Sequence, residues 1–378
     1  MESLPKVSSR STLPVLTASK PWSYHLTLDT FLKVCGKTIF SPFIGWVIVL
    51  CLRAQVTPVT DTAFILSVIY AIALTILLVA RAINQRIAYG VPRQVDPASE
   101  VVLVTGGASG LGLLIAQIYA MKGTSVAVMD IRKMSDKEQD EVFGENVLYI
   151  TCDVGDRRAL ESAKEEVEQQ LGPPSIIINC AAAGIHGRPL LHLPAQDFEK
   201  TVRTNLMAAF SLYQTFVPDM LTETENGGTI VTVSSVLGQL SPAGLSDYSA
   251  SKAGLSALHR TIEAELRGEE HIKFLLVETG QMATPLFGWI RTPSHFFAPV
   301  LDPLEVAREI VAAVDSGRGG VLRLPTFATL VSWYAVLPGA IQLIARYLSR
   351  IDNAVASATP QAERRETRIS QQTDKKVD

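Results

Sequence analysis

The amino-acid sequence predicts a doubly wound α/β domain, built on a seven-stranded parallel sheet and preceded by an N-terminal transmembrane helical hairpin. Three observations predict it. From Glu100 onward, short apolar β-rich runs alternate with helical patterns, and strands apolar throughout suit a parallel sheet covered on both faces. A glycine-rich turn joins the first of these strands to the first of these helices. Upstream stand two uncharged runs, Thr38 to Leu52 and Thr62 to Ala80.

Residues 1 to 37 form a lead whose apolar residues are too scattered for a signal-peptide core, and it is expected to be loosely ordered. Residues 38 to 80 hold the two apolar helices. The second, with 19 uncharged residues, approaches the ~20 that span hydrocarbon; the first is shorter and contains Pro42. Lys33 and Lys37 precede the pair and Arg81, Arg86 and Arg93 follow it, so both outer flanks are expected in the cytosol. Two buried helices of a soluble domain are the competing reading. The α/β domain runs from 98 to 324, one domain by size. Its expected strands are Val101 to Thr105, Ser125 to Met129, Val147 to Thr151, Ile176 to Asn179, Thr229 to Val233, Lys273 to Val277 and Val321 to Leu324. Its expected helices are Leu111 to Lys122, Asp156 to Leu171, Asp197 to Leu221, Asp247 to Arg267 and Leu304 to Asp315. Residues 325 to 350 are apolar but broken by Pro338, which favours a membrane-lying or docking helical segment over a straight span. Residues 354 to 378 have the composition of a disordered polar tail. Its ending, Lys375-Lys376-Val377-Asp378, resembles the dilysine retrieval signal of endoplasmic-reticulum membrane proteins.

Charge narrows the function. The net charge of −3 hides a split: residues 98 to 345 carry 18 basic and 28 acidic side chains, whereas the first 97 carry nine and four. An acidic body argues against nucleic acid as a partner, and basic flanks beside apolar runs suit membrane lipid. Cys35, Cys51, Cys152 and Cys180 show no C-x-x-C and the six histidines no H-E-x-x-H, so no metal site is expected.

Two constellations carry chemistry. In Val101-Val-Leu-Val-Thr105-Gly106-Gly-Ala-Ser109-Gly110-Leu111-Gly112 a buried strand runs into a glycine turn and a helix, the arrangement that brings backbone N–H groups and a helix N-terminus to a pyrophosphate. Asp130, 18 residues beyond Gly112, can accept hydrogen bonds from the ribose hydroxyls of an adenosine and would repel a 2′-phosphate. NAD is therefore favoured, although Arg132 and Lys133 nearby keep NADP open. The second constellation is Ser235, Tyr248 and Lys252. Tyr248 and Lys252 stand four apart on one helix face, where a nearby ammonium would lower the phenol toward neutrality. Ser235, thirteen residues upstream of Tyr248 at a strand end, can hydrogen-bond a substrate oxygen.

Together these residues resemble the short-chain dehydrogenase/reductase family over nearly all of 100 to 324. The glycine turn is similar to the family's T-G-x-x-x-G-x-G. The resemblance implies a seven-stranded Rossmann sheet and hydride transfer between nicotinamide and the carbinol carbon of an alcohol. It further implies that Asp153 contacts adenine, that Asn179 and its loop lie along the cofactor, and that Thr284 contacts the nicotinamide carboxamide. Ser235, Tyr248 and Lys252 fall on the catalytic positions, Lys252 also binding the nicotinamide ribose, and Asn205 on the asparagine that holds a water in the proton relay. Two departures stand out. The family's N-N-A-G becomes Asn179-Cys180-Ala181-Ala182-Ala183-Gly184, two residues longer, and its P-G becomes Thr279-Gly280.

Phe287, Trp289, Phe296 and Phe297 lie where this family carries its variable substrate lid, between Met282 and Val300. With the apolar helices they suggest a lipophilic alcohol or carbonyl, and they resemble membrane-bound retinol and 17β-hydroxysteroid dehydrogenases. That resemblance places the protein on endoplasmic reticulum or lipid droplets with its catalytic domain facing the cytosol, with a homodimer as an open assembly. Two alternatives stand beside it: an NADPH-dependent keto-lipid reductase, and an NAD-binding membrane scaffold without turnover.

Overall fold

The computed structural model describes residues 26–144, 147–224, 226–287, 290, 292 and 294–355. Most of the N-terminal lead, Trp289, and the polar tail with its dilysine ending lie outside the described residues.

Three helices come first: α1 (Leu28–Lys37), α2 (Pro42–Ala54) and α3 (Thr62–Tyr89). Helix α1 is regular structure at the end of the lead expected to be loosely ordered; residues 1–25 of that lead lie outside the described residues. Thr27 caps the helix by accepting the Thr30 N–H at 3.2 Å, and its first turn is tied to the catalytic half of the chain. The N–H of Leu28 donates to the carbonyl of Phe296 at 2.9 Å, and the N–H of Thr326 donates to the Asp29 carboxylate. These contacts are distant in sequence, which is why local patterning does not show them. Helix α2 starts at Pro42, where a missing N–H costs nothing. Helix α3 runs past the expected end of the apolar run, through Arg81 to Tyr89. The two helices meet closely at Gly45, where an added Cβ would lie 3.3 Å from the Ala71 Cα, and Trp46 Nε1 donates to Thr75 Oγ1 at 3.0 Å. Helix α3 is long and apolar enough to cross a membrane, and α1 with α2 forms a pair bent by 45° that passes the same criterion.

The strands β1 (Val101–Thr105), β2 (Ser125–Asp130), β3 (Val147–Thr151), β4 (Ile176–Asn179), β5 (Gly228–Ser235), β6 (Ile272–Thr279) and β7 (Gly320–Leu324) form one sheet in the order 3-2-1-4-5-6-7. Every neighbouring pair is parallel. The chain starts in the middle, winds outward to β3, then returns to β4 and winds the other way. That reversal between β1 and β4 opens a crevice beyond the carboxyl ends of the strands.

Between and after the strands run α4 (Gly110–Met121), α5 (Asp136–Phe143), α6 (Arg157–Gln170), α7 (Ala195–Val202), α8 (Ala208–Glu223), α9 (Leu237–Leu240), α10 (Ser246–Glu265) and α11 (Pro303–Asp315). Alternate strand residues feed two cores. Val102 and Val104 pack with Ile115 of α4 and Ile310 of α11 on one face. Leu103 packs with Leu160 of α6, Phe216 of α8 and Leu255 of α10 on the other. The helix expected over Asp197 to Leu221 is present, with a π-helical turn, Arg203–Met207, between its α-helical stretches α7 and α8. A buried ion pair fastens the segment after α3 to the sheet. Arg93 donates to both carboxylate oxygens of Glu100, at 2.8 and 3.0 Å, and through Nε to Thr229 Oγ1 at 2.8 Å.

The C-terminal segment forms α12 (Phe327–Tyr334) and α13 (Gly339–Ser349), interrupted at Pro338 as its sequence suggests. Ala328 and Val331 of α12 pack on Val236. Helix α13 is held by Arg346, which donates to the carbonyls of Leu240 and Ser241 at 2.7 and 3.1 Å. Ile341, Leu343, Ile344, Tyr347 and Leu348 of α13 stay exposed.

Candidate active site

The glycine turn is shaped for close approach. Gly106 and Gly110 have φ of +68° and +57°, in the left-handed region that favours glycine. A Cβ on Gly112 would sit 2.4 Å from the Gly106 carbonyl oxygen, and one on Gly106 would sit 2.8 Å from the Ala181 Cα. Ser109 is exposed at the N-cap of α4 without making a side-chain cap bond, so that helix end offers its N–H groups and dipole to an anion. Leu111 points into the core and can contribute only its backbone. Thr284 lies over this turn, its Cγ2 3.7 Å from where a Gly110 Cβ would be.

Asp130 ends β2 and is braced by two N–H donors, Ala108 at 2.9 Å and Arg132 at 3.0 Å. The carboxylate is thus fixed beside the glycine turn. The Arg132 guanidinium is engaged with Glu138. Asp153 accepts from the N–H of Gly155 at 2.9 Å in the turn after β3. Asn179 is buried, and its side-chain oxygen accepts from the Thr105 hydroxyl at 2.8 Å. Its side chain therefore locks the ends of β1 and β4, and the loop it starts is what reaches the glycine turn, through Ala181. The residues fit a dinucleotide: a left-handed glycine turn with no room for side chains, an uncapped helix end and a braced carboxylate. Gly106, Gly110 and Gly112 with the α4 terminus would hold the pyrophosphate, and Asp130 the ribose hydroxyls.

Ser235, Tyr248 and Lys252 converge at the ends of β5 and α10, all nearly sealed from solvent. Ser235 Oγ is 3.2 Å from the Thr279 carbonyl and accepts the Leu237 N–H at 3.2 Å. The Lys252 Nζ lies 5.8 Å from the Tyr248 ring centroid and donates to the Val233 carbonyl at 2.9 Å. Burial pushes Lys252 down to about 8, with Cys180 opposing, so it is an ammonium at pH 7. Cys180 itself is pushed up to about 12 by burial. Tyr248 corrects a sequence expectation. Its phenol is raised, not lowered, because burial outweighs the opposing effect of the Ser235 hydroxyl. Phe287 meets its ring edge-on, with centroids 5.8 Å apart.

Asn205 sits in the π-helical turn and is fully buried. Its side chain is spent on structure, accepting the Ala183 N–H at 2.7 Å and donating to Ser251 Oγ at 2.9 Å. Sequence reasoning missed Phe287 as a partner of Tyr248 and missed Asp247, a buried carboxylate beside Tyr248 that His186 contacts at 2.7 Å. The i−1 placement of an acid before the tyrosine was the available signal.

A parallel sheet reversing at β1 and β4, a glycine turn there, and a buried serine–tyrosine–lysine group at the same edge define a nicotinamide-dependent oxidoreductase of alcohols and carbonyls. The family model described as short chain dehydrogenase matches residues 100–294. The chain belongs to that family. An uncharacterized oxidoreductase of Saccharomyces cerevisiae, YDL114W, is 31% identical over 266 residues, covering 69% of this chain and 84% of its own. Epidermal retinol dehydrogenase 2 of Mus musculus is 32% identical, covering 59% and 73%, and retinol dehydrogenase 10 of Homo sapiens is 31% identical, covering 59% and 74%. Among solved structures, one described as ribose-5-phosphate isomerase from Brucella melitensis 16M aligns with a TM-score of 0.54 at 21% identity, covering 63% of this chain and 97% of that one. That likeness concerns the fold alone.

Proposed function

We propose that this protein is a membrane-anchored, NAD-dependent dehydrogenase/reductase that interconverts a hydrophobic alcohol and its carbonyl. The chemistry rests on one observation, the sealed Ser235–Tyr248–Lys252 group at the mouth of the glycine-lined crevice. When bound, the nicotinamide supplies the hydride acceptor or donor. Ser235 holds the substrate oxygen, and Tyr248 exchanges a proton with that same oxygen. In the described state Tyr248 is a phenol, the form that protonates a carbonyl oxygen. In the oxidising direction the Lys252 ammonium favours the phenolate.

NAD is preferred over NADP on this reading, because Asp130 is braced at the ribose position and Arg132 is engaged with Glu138. A lipophilic substrate is supported by Phe287, whose ring meets that of Tyr248, and by relatives that are retinol dehydrogenases. Membrane lipid as a partner is supported by the exposed apolar surfaces of α2, α3 and α13 and by the length of α3. The basic flanks of the hairpin support a catalytic domain facing the cytosol, on endoplasmic reticulum or lipid droplets.

The test is detergent-solubilised full-length protein with NAD or NADP and a panel of retinoid, steroid and long-chain alcohols. Tyr248→Phe should lower kcat by ~10²–10⁴ with dinucleotide binding unchanged, and Asp130→Ala should shift the kcat/KM ratio toward NADP. Unaltered turnover in Tyr248→Phe overturns the chemistry; a wild-type preference for NADP overturns the reading of Asp130.

A further inference from the structure

The loop leaving β4, two residues longer than the family pattern, touches all three parts of the site. Ala181 packs on the glycine turn, its Cα 2.8 Å from where a Gly106 Cβ would be. The N–H of Ala183 donates to Asn205 in the π-helical turn at 2.7 Å. His186 then reaches the catalytic helix, its Nδ1 2.7 Å from Asp247 Oδ2.

Resting on the reading of Tyr248 as the proton-exchanging group, we propose that His186 is a positioning residue: its bond to Asp247 pins this loop to the first turn of α10 and fixes where the Tyr248 phenol points. Asp247 is 1% exposed, and a buried carboxylate must be partnered. It has two side-chain partners, His186 and the Thr201 hydroxyl at 3.1 Å, and it lies in the N-terminal turn of α10, where the helix dipole favours negative charge. A carboxylate only accepts, so Nδ1 carries the proton. The other ring nitrogen faces Asp197 Oδ1 at 3.7 Å, and the same Asp197 carboxylate is 3.6 Å from Arg188. The imidazole thus lies between acids on separate elements, hydrogen-bonded to Asp247 of α10 with Asp197 of α7 beyond hydrogen-bond distance on its other side. Tyr248 is the next residue after Asp247, so freeing that turn displaces the phenol directly. A shift of ~1 Å at a reacting group costs on the order of 100-fold in rate. The latch also explains how the lengthened loop keeps its place against the cofactor turn without the usual N-N-A-G sequence.

The experiment compares full-length wild type, His186→Ala and His186→Asn, whose amide N–H replaces the Nδ1 donor. Three quantities are read: kcat, KM for the alcohol, and hydrogen–deuterium exchange at residues 181–189 and 246–252 in cofactor-free protein. His186→Ala should lower kcat about tenfold, leave KM within about twofold, and speed exchange in both segments; His186→Asn should restore both readouts. A His186→Ala protein that melts earlier yet keeps wild-type kcat, or that shows unchanged exchange at 246–252, overturns the proposal. Exchange needs no turnover, so an inactive wild type would defeat the enzymatic reading while the latch is still tested.

Discussion

Replacing Lys252 by Met should remove a buried charge that the native fold holds at a cost. The side chain is 3% exposed, and burial pushes it from 10.5 down to about 8. That difference corresponds to about 3 kcal/mol. The sign follows from proton counting. Below pH 8 the native and unfolded chains both carry the proton, and the native state bears the full penalty. Between 8 and 10.5 the unfolded chain holds more protons, so stability rises with pH; above 10.5 the penalty is gone. Met has nothing to titrate, and all other groups are shared, so the wild-type-minus-variant difference isolates this slope. From pH 7 to pH 10 wild type should gain about 2–3 kcal/mol on the variant, or about 4–12 °C in unfolding midpoint for a domain of this size. Scanning calorimetry of both proteins in the same detergent measures it, and activity should be lost in the variant at every pH. The absolute offset at pH 7 is smaller than the full penalty, because the variant also loses the bond to the Val233 carbonyl. A difference that stays flat from pH 7 to pH 10 refutes the reasoning.

Gly112→Ala places a methyl 2.4 Å from the Gly106 carbonyl. The turn must open, costing about 1–3 kcal/mol, and dinucleotide affinity measured by fluorescence titration should fall at least ~10-fold; unchanged affinity would show that the turn does not cradle the cofactor. Arg93→Met leaves Glu100 buried without its bidentate partner, both side chains being 3% exposed. Such a break costs about 3–5 kcal/mol, so the melting temperature should drop by roughly 6–20 °C, and a shift under 2 °C would contradict the burial of the pair.

Much of this architecture is legible in the sequence because parallel strands are buried on both faces. Val101 to Thr105 and Ile176 to Asn179 stand out as unbroken apolar runs and end where the structure ends them. The tyrosine and lysine of the site are legible because helical spacing puts Tyr248 and Lys252 on one face and the family resemblance singles that pair out. What escaped detection depends on long-range partners. The π-helical turn at Arg203–Met207 is a widening within a helix whose buried Asn205 bonds to Ala183 and Ser251, partners distant in the chain that no local period reveals. His186 and Asp247 lie 61 positions apart and belong to no short motif. The direction in which the Tyr248 phenol shifts is not legible, because spacing reveals the neighbouring ammonium but not the depth of burial, and burial dominates.

Helix α1 is tied to the α/β domain and the segment after it as well as to the apolar helices that follow it. Leu28 grips the Phe296 carbonyl, and Asp29 grips the corner after β7. A recombinant fragment trimmed to the family-matched stretch, 100–294, would lose those ties and also α11 and β7, whose Ile310 and Leu322 share a core with Ile115 of α4. With the apolar underside of α4 laid bare to solvent, such a fragment would report on a damaged fold and not on the intact chain.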